Sequence, residues 1–163
     1  MEQIARLKAL INQPFQNIVI TTHHKPDADA LGSSLALWKY LILKKQYPRV
    51  ITPSDYPRFL HWMRGHEQVI NFEVKPDEAK GLIEKADIIF CCDFSSLKRI
   101  NDLETPVANS KAIKIHIDHH LEPDTFADIV YSDSSASATA ELIYYLISDV
   151  MQDRHLIDPD IAS

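Results

Sequence analysis

The sequence predicts an α/β fold in which a mostly parallel sheet carries helices on both faces. Short apolar, β-branched runs alternate along the chain with segments whose apolar residues recur at helical spacing. This alternation is typical of parallel strands that are joined by helices and buried on both faces. The chain has 163 residues, 45% of them hydrophobic, so we expect a single domain with its own core over residues 1–163.

Local composition places the individual elements. Five apolar or β-branched runs are predicted to be strands, at 17–22 (NIVITT), 49–52, 87–92 (DIIFCC), 112–117 (AIKIHI) and 127–131. Four segments are predicted to be helices, from an apolar face or an opening proline, at 2–12, 29–45, 76–85 and 136–151. Residues 53–65 are predicted to form an aromatic-rich loop with one helical turn.

Charge and cysteine content limit the function and the compartment. The formal net charge is −6, divided as +3 over residues 1–80 and −9 over residues 81–163. Long duplex DNA requires a basic surface, so the chain is not expected to bind it. No apolar run is long enough to span a bilayer, and the N-terminus lacks a signal-peptide core. Cys91 and Cys92 are expected to be buried thiols, and we predict a cytoplasmic protein without a membrane partner.

Three of the predicted strands run directly into acids and histidines. If the strands are parallel neighbours, their carboxyl ends lie at the same edge of the sheet and these side chains converge. This edge is where open α/β sheets bind ligands. The candidate site residues are His23, Asp27 and Asp29 after the first strand, Asp93 after strand 87–92, and Asp118, His119 and His120 after strand 112–117.

Convergence of so many acids without a cation is unfavourable. Two carboxylates about 4 Å apart repel by roughly 4 kcal/mol at an effective dielectric near 20. Imidazole nitrogens and carboxylate oxygens are suitable ligands for divalent ions such as Mn²⁺. Two ions about 3.5–4 Å apart form an arrangement that hydrolyses phosphate esters. The sequence therefore predicts a metal site, with more ligands than a single ion needs.

Each motif also has an ordinary structural interpretation. A lone DxD at a helix start usually caps the helix, a lone Asp after a strand usually belongs to a turn, and an HH pair usually faces solvent. Their joint occurrence at three strand ends favours the metal interpretation. For the remaining histidines the structural interpretation stands: His61, His66 and His155 are expected in loops or on the surface, and His116 on a sheet face.

Two further clusters are interpreted as structural. The aromatic residues of the 53–65 loop are expected to cover a core rather than to stack on a base. They are Tyr56, Phe59 and Trp62. The serines before the last helix are predicted to cap it, with contact to a phosphate left open. They are Ser134, Ser135 and Ser137.

At these positions the sequence resembles the DHH phosphoesterase superfamily. The stretch HHKPDADALGS, from His23 to Ser33, is similar to the family's first motif, HxxPDxDxxGS. Asp93 in IIFCCDFSS matches the second motif, and 118–120 match the Asp-His-His motif itself. The segment SSASATAEL resembles the small-residue stretch that opens the family's next helix.

The resemblance implies a site for two divalent ions, generally manganese, with magnesium or cobalt as alternatives. By matching position, His23 and Asp27 would hold one ion and Asp29 and His119 the other. Asp93 would bridge both ions.

The resemblance also implies which groups act on the substrate. His120 would contact the substrate phosphate, and Asp118 would support the site without touching an ion. Together with Asp93, these are the expected catalytic residues. Arg99 matches a basic residue that follows the second motif and is expected to contact substrate.

Within the superfamily, the chain looks most like the nanoRNase/pAp phosphatase branch. Those enzymes cleave very short oligonucleotides or remove a phosphate from 3′-phosphoadenosine 5′-phosphate (pAp). The expected function is therefore a metal-dependent hydrolase and exonuclease of short single-stranded oligonucleotides or small nucleotides. The alternatives are an inorganic pyrophosphatase, a cyclic-dinucleotide phosphodiesterase and a non-catalytic nucleotide- or metal-binding module. A homodimer is left open.

The end of the sequence carries one further expectation. Asp158 and Pro159 have the pattern of a helix start, but only four residues follow the proline. Family members carry a further metal-binding Asp and a C-terminal substrate domain beyond this point. We therefore expect a C-terminally incomplete DHH domain that is inactive by itself.

Overall fold

A computed structural model describes residues 2–120 and 124–157, and within them six strands form one sheet. The strands are β1 (Asn17–Thr21), β2 (Tyr47–Thr52), β3 (Ile70–Asn71), β4 (Ile88–Cys92), β5 (Ile113–Asp118) and β6 (Ile129–Ser132). Their order is β3-β2-β1-β4-β5-β6, and every neighbouring pair is parallel. From β1 to β3 the successive strands are added toward one edge of the sheet, and from β4 to β6 they are added toward the other. Parallel α/β sheets bind ligands where the strand order switches in this way, which here is between β1 and β4.

Five α-helices connect or flank these strands in the described residues. They are α1 (Glu2–Asn12), α2 (Ala28–Leu43), α3 (Pro76–Lys85), α4 (Glu104–Asn109) and α5 (Thr139–Tyr145). A π-helical segment at Leu146–Val150 continues α5, and 3₁₀ segments lie at Arg58–Leu60, His66–Gln68, Leu97–Leu103 and Arg154–Leu156. No helix of these residues is long and apolar enough to cross a membrane.

The helices cover both faces of the sheet, which confirms the predicted fold class. On β1, Ile18 and Ile20 belong to one buried cluster and Val19 to another, as the two-residue period of a strand requires. Leu37 of α2 packs in the first cluster, and Ile83 of α3 packs in the second. The central strands are therefore dry on both sides, and their polar continuations meet at the carboxyl edge.

The last predicted helix is shorter and less regular than expected. Ala138 is extended, with φ −161° and ψ 156°, so the helix begins at Thr139 rather than at 136. The backbone N–H and the hydroxyl of Ser137 both donate to Glu141, which stabilises this start. At the other end, the N–H of Met151 donates to the carbonyl of Leu146 over 2.9 Å, an i→i+5 bond.

The expectation that the loop aromatics cover the core is wrong for two of the three residues. Phe59 and Trp62 are 71% and 64% exposed, whereas Tyr56 packs against the core. Leu60 and Met63 are buried instead. Residues three apart share a face of a 3₁₀ turn, so once Leu60 and Met63 point inward, the preceding aromatic residues point outward.

Tyr40 joins α2 to the segment after α5. Its buried hydroxyl donates to Asp153 over 2.5 Å, and the Lys44 ammonium lies 3.0 Å from the same carboxylate. Burial alone would raise the pKa of Asp153, but the bonds from Tyr40 and Lys44 outweigh it and lower that pKa. Residues 158–163, including the predicted helix start at Asp158, lie outside the described residues.

We expect Tyr40→Phe to lower the free energy of unfolding by about 1.5–3 kcal/mol at neutral pH, because a buried bond to a carboxylate is lost. The pKa of Asp153 is depressed by folding, so its stabilisation is present above the ordinary carboxyl pKa of about 3.9 and is lost as the pH falls through the folded value. Urea unfolding at pH 7 measures the loss of stability, and urea unfolding at pH 3 measures how much of it depends on the ionised Asp153. Tyr145→Phe, at a ring that is 43% exposed, is the control. An equal effect of the two substitutions would contradict the assignment.

Candidate functional site

The acids and histidines of the three motifs meet at one edge of the sheet. β1 lies between β2 and β4, and β4 pairs with β5, so the three motif-bearing strands are adjacent. Thr21 pairs with Cys91 and Cys92 pairs with Ile117, so the three strands reach the carboxyl edge of the sheet at the same level. The predicted convergence of the strand ends is therefore present.

Asp93 lies at the centre of this edge. Its side chain is almost fully buried, and its two carboxylate oxygens face histidines from different loops. Oδ2 lies 3.5 Å from Nε2 of His23, and Oδ1 lies 3.4 Å from Nε2 of His119. The residue has a left-handed backbone with φ 66°, and its N–H donates to the carbonyl of Ile117. Asp tolerates this conformation better than most residues, and strained backbone is often found at functional sites.

Asp27 serves as a helix cap and also approaches a histidine. Its Oδ1 accepts a hydrogen bond from the N–H of Ala30 over 2.9 Å, which caps α2. The same oxygen lies 3.8 Å from Nε2 of His23. The capping interpretation and the proximity expected of a ligand therefore both hold for this residue.

Asp29 is held from the opposite side of the site by α5. Its two carboxylate oxygens accept hydrogen bonds from the backbone N–H groups of Thr139 and Ala140, each over 3.0 Å. Oδ2 also lies 3.6 Å from Nε2 of His119. The hydroxyl of Thr139 donates to Oδ1 of Asp93 over 2.8 Å. Thr139 was missed in the sequence, where the only signal was its place in SSASATAEL.

The Asp-His-His motif is supported from within the core. Oδ1 of the fully buried Asp118 lies 2.5 Å from Nδ1 of His120, and its Oδ2 lies 3.7 Å from Nε2 of His116. Burial raises the pKa of Asp118, but the hydrogen bond from His120 and the nearby His116 imidazole outweigh it and leave that pKa below its usual value. His116 is fully buried, and its Nε2 lies 2.6 Å from the carbonyl of Phe94. It therefore faces the core rather than solvent.

The surroundings of His23 and Asp29 favour the protonated form of both side chains. The adjacent Asp93 carboxylate raises the pKa of His23, against the opposing effect of burial. Burial raises the pKa of Asp29, and the negative charge of Asp93 adds to the rise, although backbone N–H groups oppose it. Both shifts act in the direction of proton binding by the metal-free site, and a divalent cation would compete with those protons.

The donor set fits divalent metal ions. The ligand atoms of His23, Asp27 and Asp93 lie within 4.8 Å of one another, and so do those of Asp93, His119 and His120. Asp93 is common to both groups. Mixed imidazole and carboxylate sets are suitable for first-row divalent ions, whereas Mg²⁺ favours oxygen ligands.

Other residues singled out from the sequence make contacts outside this cluster or are exposed. Arg99 is exposed, and its backbone carbonyl accepts a hydrogen bond from the N–H of His24 over 2.7 Å, which ties the first two motif loops together. The hydroxyls of Ser135 and Ser137 donate to the carboxylates of Asp133 and Glu141. The prediction that the serines cap the last helix is therefore wrong, since its N-cap is Ala138 and no side chain among the described residues caps it. His61 and His155 are exposed, and His66 is partly buried.

A family model described as "DHH family, N-terminal domain" matches residues 17–163, and the chain belongs to this family. The chain is 31% identical over 137 residues to the bifunctional oligoribonuclease and PAP phosphatase NrnA of Bacillus subtilis, covering 81% of this chain and 38% of that protein. It is 25% identical over 159 residues to the cyclic-di-AMP phosphodiesterase PdeA of Listeria monocytogenes, covering 88% and 24%.

A solved structure shares the fold closely. The exopolyphosphatase-related protein of Bacteroides fragilis superimposes with a TM-score of 0.95 at 37% identity, over 99% of this chain and 47% of that chain. The present chain spans about two-fifths of the length of the NrnA relatives that it matches.

Proposed function

We propose that this chain forms the metal-binding domain of a phosphoesterase that hydrolyses very short oligonucleotides or small nucleotide phosphates such as pAp. One observation carries the proposal: the two oxygens of the buried Asp93 carboxylate each face a histidine, at 3.5 and 3.4 Å, from different strand ends. A carboxylate in this position is suited to bridging two cations. A core ion pair would need only one partner and would not place further acids beside both histidines.

The proposed ligands divide into two sets around that carboxylate. His23 and Asp27 would hold one ion, and His119 and Asp29 the other, with Asp93 shared. When bound, such ions lower the pKa of water and neutralise charge on phosphoryl oxygens. We propose manganese, with magnesium and cobalt as alternatives, because two of the five ligands are imidazoles.

The remaining residues of the motif would act on the substrate. The Asp118 carboxylate accepts from Nδ1 of His120, so it fixes the orientation of the ring and leaves Nε2 to meet a substrate phosphate. On the inner side of Asp118 lies the buried His116, whose Nε2 contacts the carbonyl of Phe94. Arg99, on the loop tied to His24, would add a positive charge at the rim.

The proposed substrate class follows from the relatives and from the charge. The B. subtilis NrnA relative, at 31% identity, is named as an oligoribonuclease and PAP phosphatase. The net charge of −9 over residues 81–163 disfavours long duplex DNA. A cyclic-dinucleotide phosphodiesterase is the second candidate, because a 25% identical relative carries that name. Cys91 and Cys92 are unpaired and fully buried, which supports a reducing, cytoplasmic location.

The test is metal titration followed by turnover. We expect the full-length protein to bind two Mn²⁺ per chain in calorimetry, and to hydrolyse pAp or a dinucleotide faster than cyclic di-AMP. Chelation should abolish turnover, and added Mn²⁺ should restore it. Binding of one ion only would contradict the bridging arrangement. Preferred turnover of cyclic di-AMP would favour the second candidate, and turnover that survives chelation would overturn the metal mechanism.

A further inference from the structure

We propose that Thr139 is a positioning residue whose hydroxyl fixes the Asp93 carboxylate for metal binding; this inference rests on the proposed two-metal function. Thr139 is fully buried, and its Oγ1 lies 2.8 Å from Oδ1 of Asp93. An ionised carboxylate only accepts hydrogen bonds, so the hydroxyl is the donor. None of the site residues predicted from the sequence motifs supplies a hydroxyl group at this position.

The contact matters because the position of Asp93 is otherwise weakly determined. Its backbone is left-handed, at φ 66°, and its carboxylate lies between His23 and His119 at distances too long for good hydrogen bonds. The Thr139 hydroxyl makes the short, buried side-chain bond to this carboxylate. Without it, rotation about the Asp93 side chain would move an oxygen from one proposed ion toward the other.

The same turn of chain also determines the position of Asp29. The N–H groups of Thr139 and Ala140 bind the two Asp29 oxygens, and the hydroxyl of Thr139 binds Asp93. One residue therefore sets the separation between a carboxylate from the first motif and a carboxylate from the second. Hydrogen-bond partners of metal ligands typically change metal affinity by about 10–100-fold when they are removed.

The substitution that isolates the hydroxyl is Thr139→Val, because it preserves shape and leaves the backbone N–H bond to Asp29 in place. We expect Mn²⁺ affinity, measured by calorimetry on the full-length protein, to fall about tenfold. Thr139→Ser retains the donor and should restore affinity to within about twofold of wild type. In turnover, Thr139→Val should lower kcat more than it raises KM.

Thr52→Val is the matched control. Thr52 is also fully buried, and its hydroxyl also donates over 2.8 Å, but to the backbone carbonyl of Ser54. We expect a similar loss of thermal stability from both valine substitutions and unchanged Mn²⁺ affinity in Thr52→Val. If Thr139→Val fails to fold, Thr139→Ala removes the same donor and takes its place.

The outcomes separate this inference from the proposed function. Wild-type Mn²⁺ affinity in Thr139→Val, beside a wild-type protein that binds the metal, would overturn the inference alone. Equal losses in Thr139→Val and Thr139→Ser would also overturn it, since the hydroxyl would then be irrelevant. Absence of Mn²⁺ binding by the wild-type protein would overturn the proposed function and the inference with it.

Discussion

Asp93→Asn in the full-length protein is expected to lower turnover by about 10³-fold or more while leaving the fold intact. A bridging carboxylate supplies charge to both proposed ions, and a loss of several kcal/mol of stabilisation corresponds to that factor. Asn is chosen because it tolerates the left-handed backbone at φ 66° and retains an oxygen that can accept from Thr139. Removal of one charge also relieves repulsion with Asp29, so the metal-free variant should melt no lower than wild type.

The control for this prediction is an aspartate just before β4, at the opposite end of that strand from Asp93. Asp87 precedes β4, and its Oδ2 accepts from the N–H of Asn17 over 2.8 Å. Asp87→Asn makes the same chemical change far from the motifs, so turnover should stay at the wild-type value. Metal stoichiometry by mass spectrometry accompanies both assays. Near-normal turnover of Asp93→Asn with two ions bound would refute the bridging role.

Gly65→Ala should lower the free energy of unfolding by about 2–4 kcal/mol, the sum of two separate effects. Gly65 has φ 92°, where a side chain is strained. A Cβ there would lie 2.8 Å from Cζ3 of Trp38, whose ring is buried in the core. Urea unfolding measures the change, and intact secondary structure by circular dichroism shows that the variant still folds.

The matched substitution is Gly81→Ala. Gly81 lies within α3, and a Cβ there meets nothing within 4 Å. Alanine is the better helix former by about 0.8–1 kcal/mol, so this variant should be slightly more stable than wild type. The two alanine substitutions are therefore expected to change the free energy of unfolding in opposite directions. A stabilising effect of Gly65→Ala would contradict the clash with Trp38.

The sheet and the centre of the site were predictable from the sequence for a physical reason. Strands buried on both faces are apolar throughout, so the first charged residue after each run marks the carboxyl edge. Asp93 after DIIFCC is such a residue. Asp118 also ends its strand, although β5 carries Lys114 and His116 before it. Neighbouring parallel strands then bring these carboxylates together without further information.

What the sequence did not reveal depends on tertiary contacts. Thr139 reaches Asp29 across 110 residues, and no local pattern reports such a bond. β3 has only two residues, and α4 contains a proline, so neither shows a usable period. The exposure of Trp62 depends on which face of a 3₁₀ turn meets the core.

The long separation between Asp29 and its partners on α5 has a consequence during protein synthesis. At ribosomal rates of about 5–20 residues per second, roughly 5–20 s pass between translation of Asp29 and translation of Thr139, 110 residues later. β1 can pair with β2 well before that time, since Asn17 and Tyr47 are only 30 residues apart. The nascent chain therefore exposes the first acidic loop before the residues that hold Asp29 have been synthesised. The proposed metal centre is complete only after α5 has emerged, because Thr139 and Ala140 supply the hydrogen bonds to Asp29.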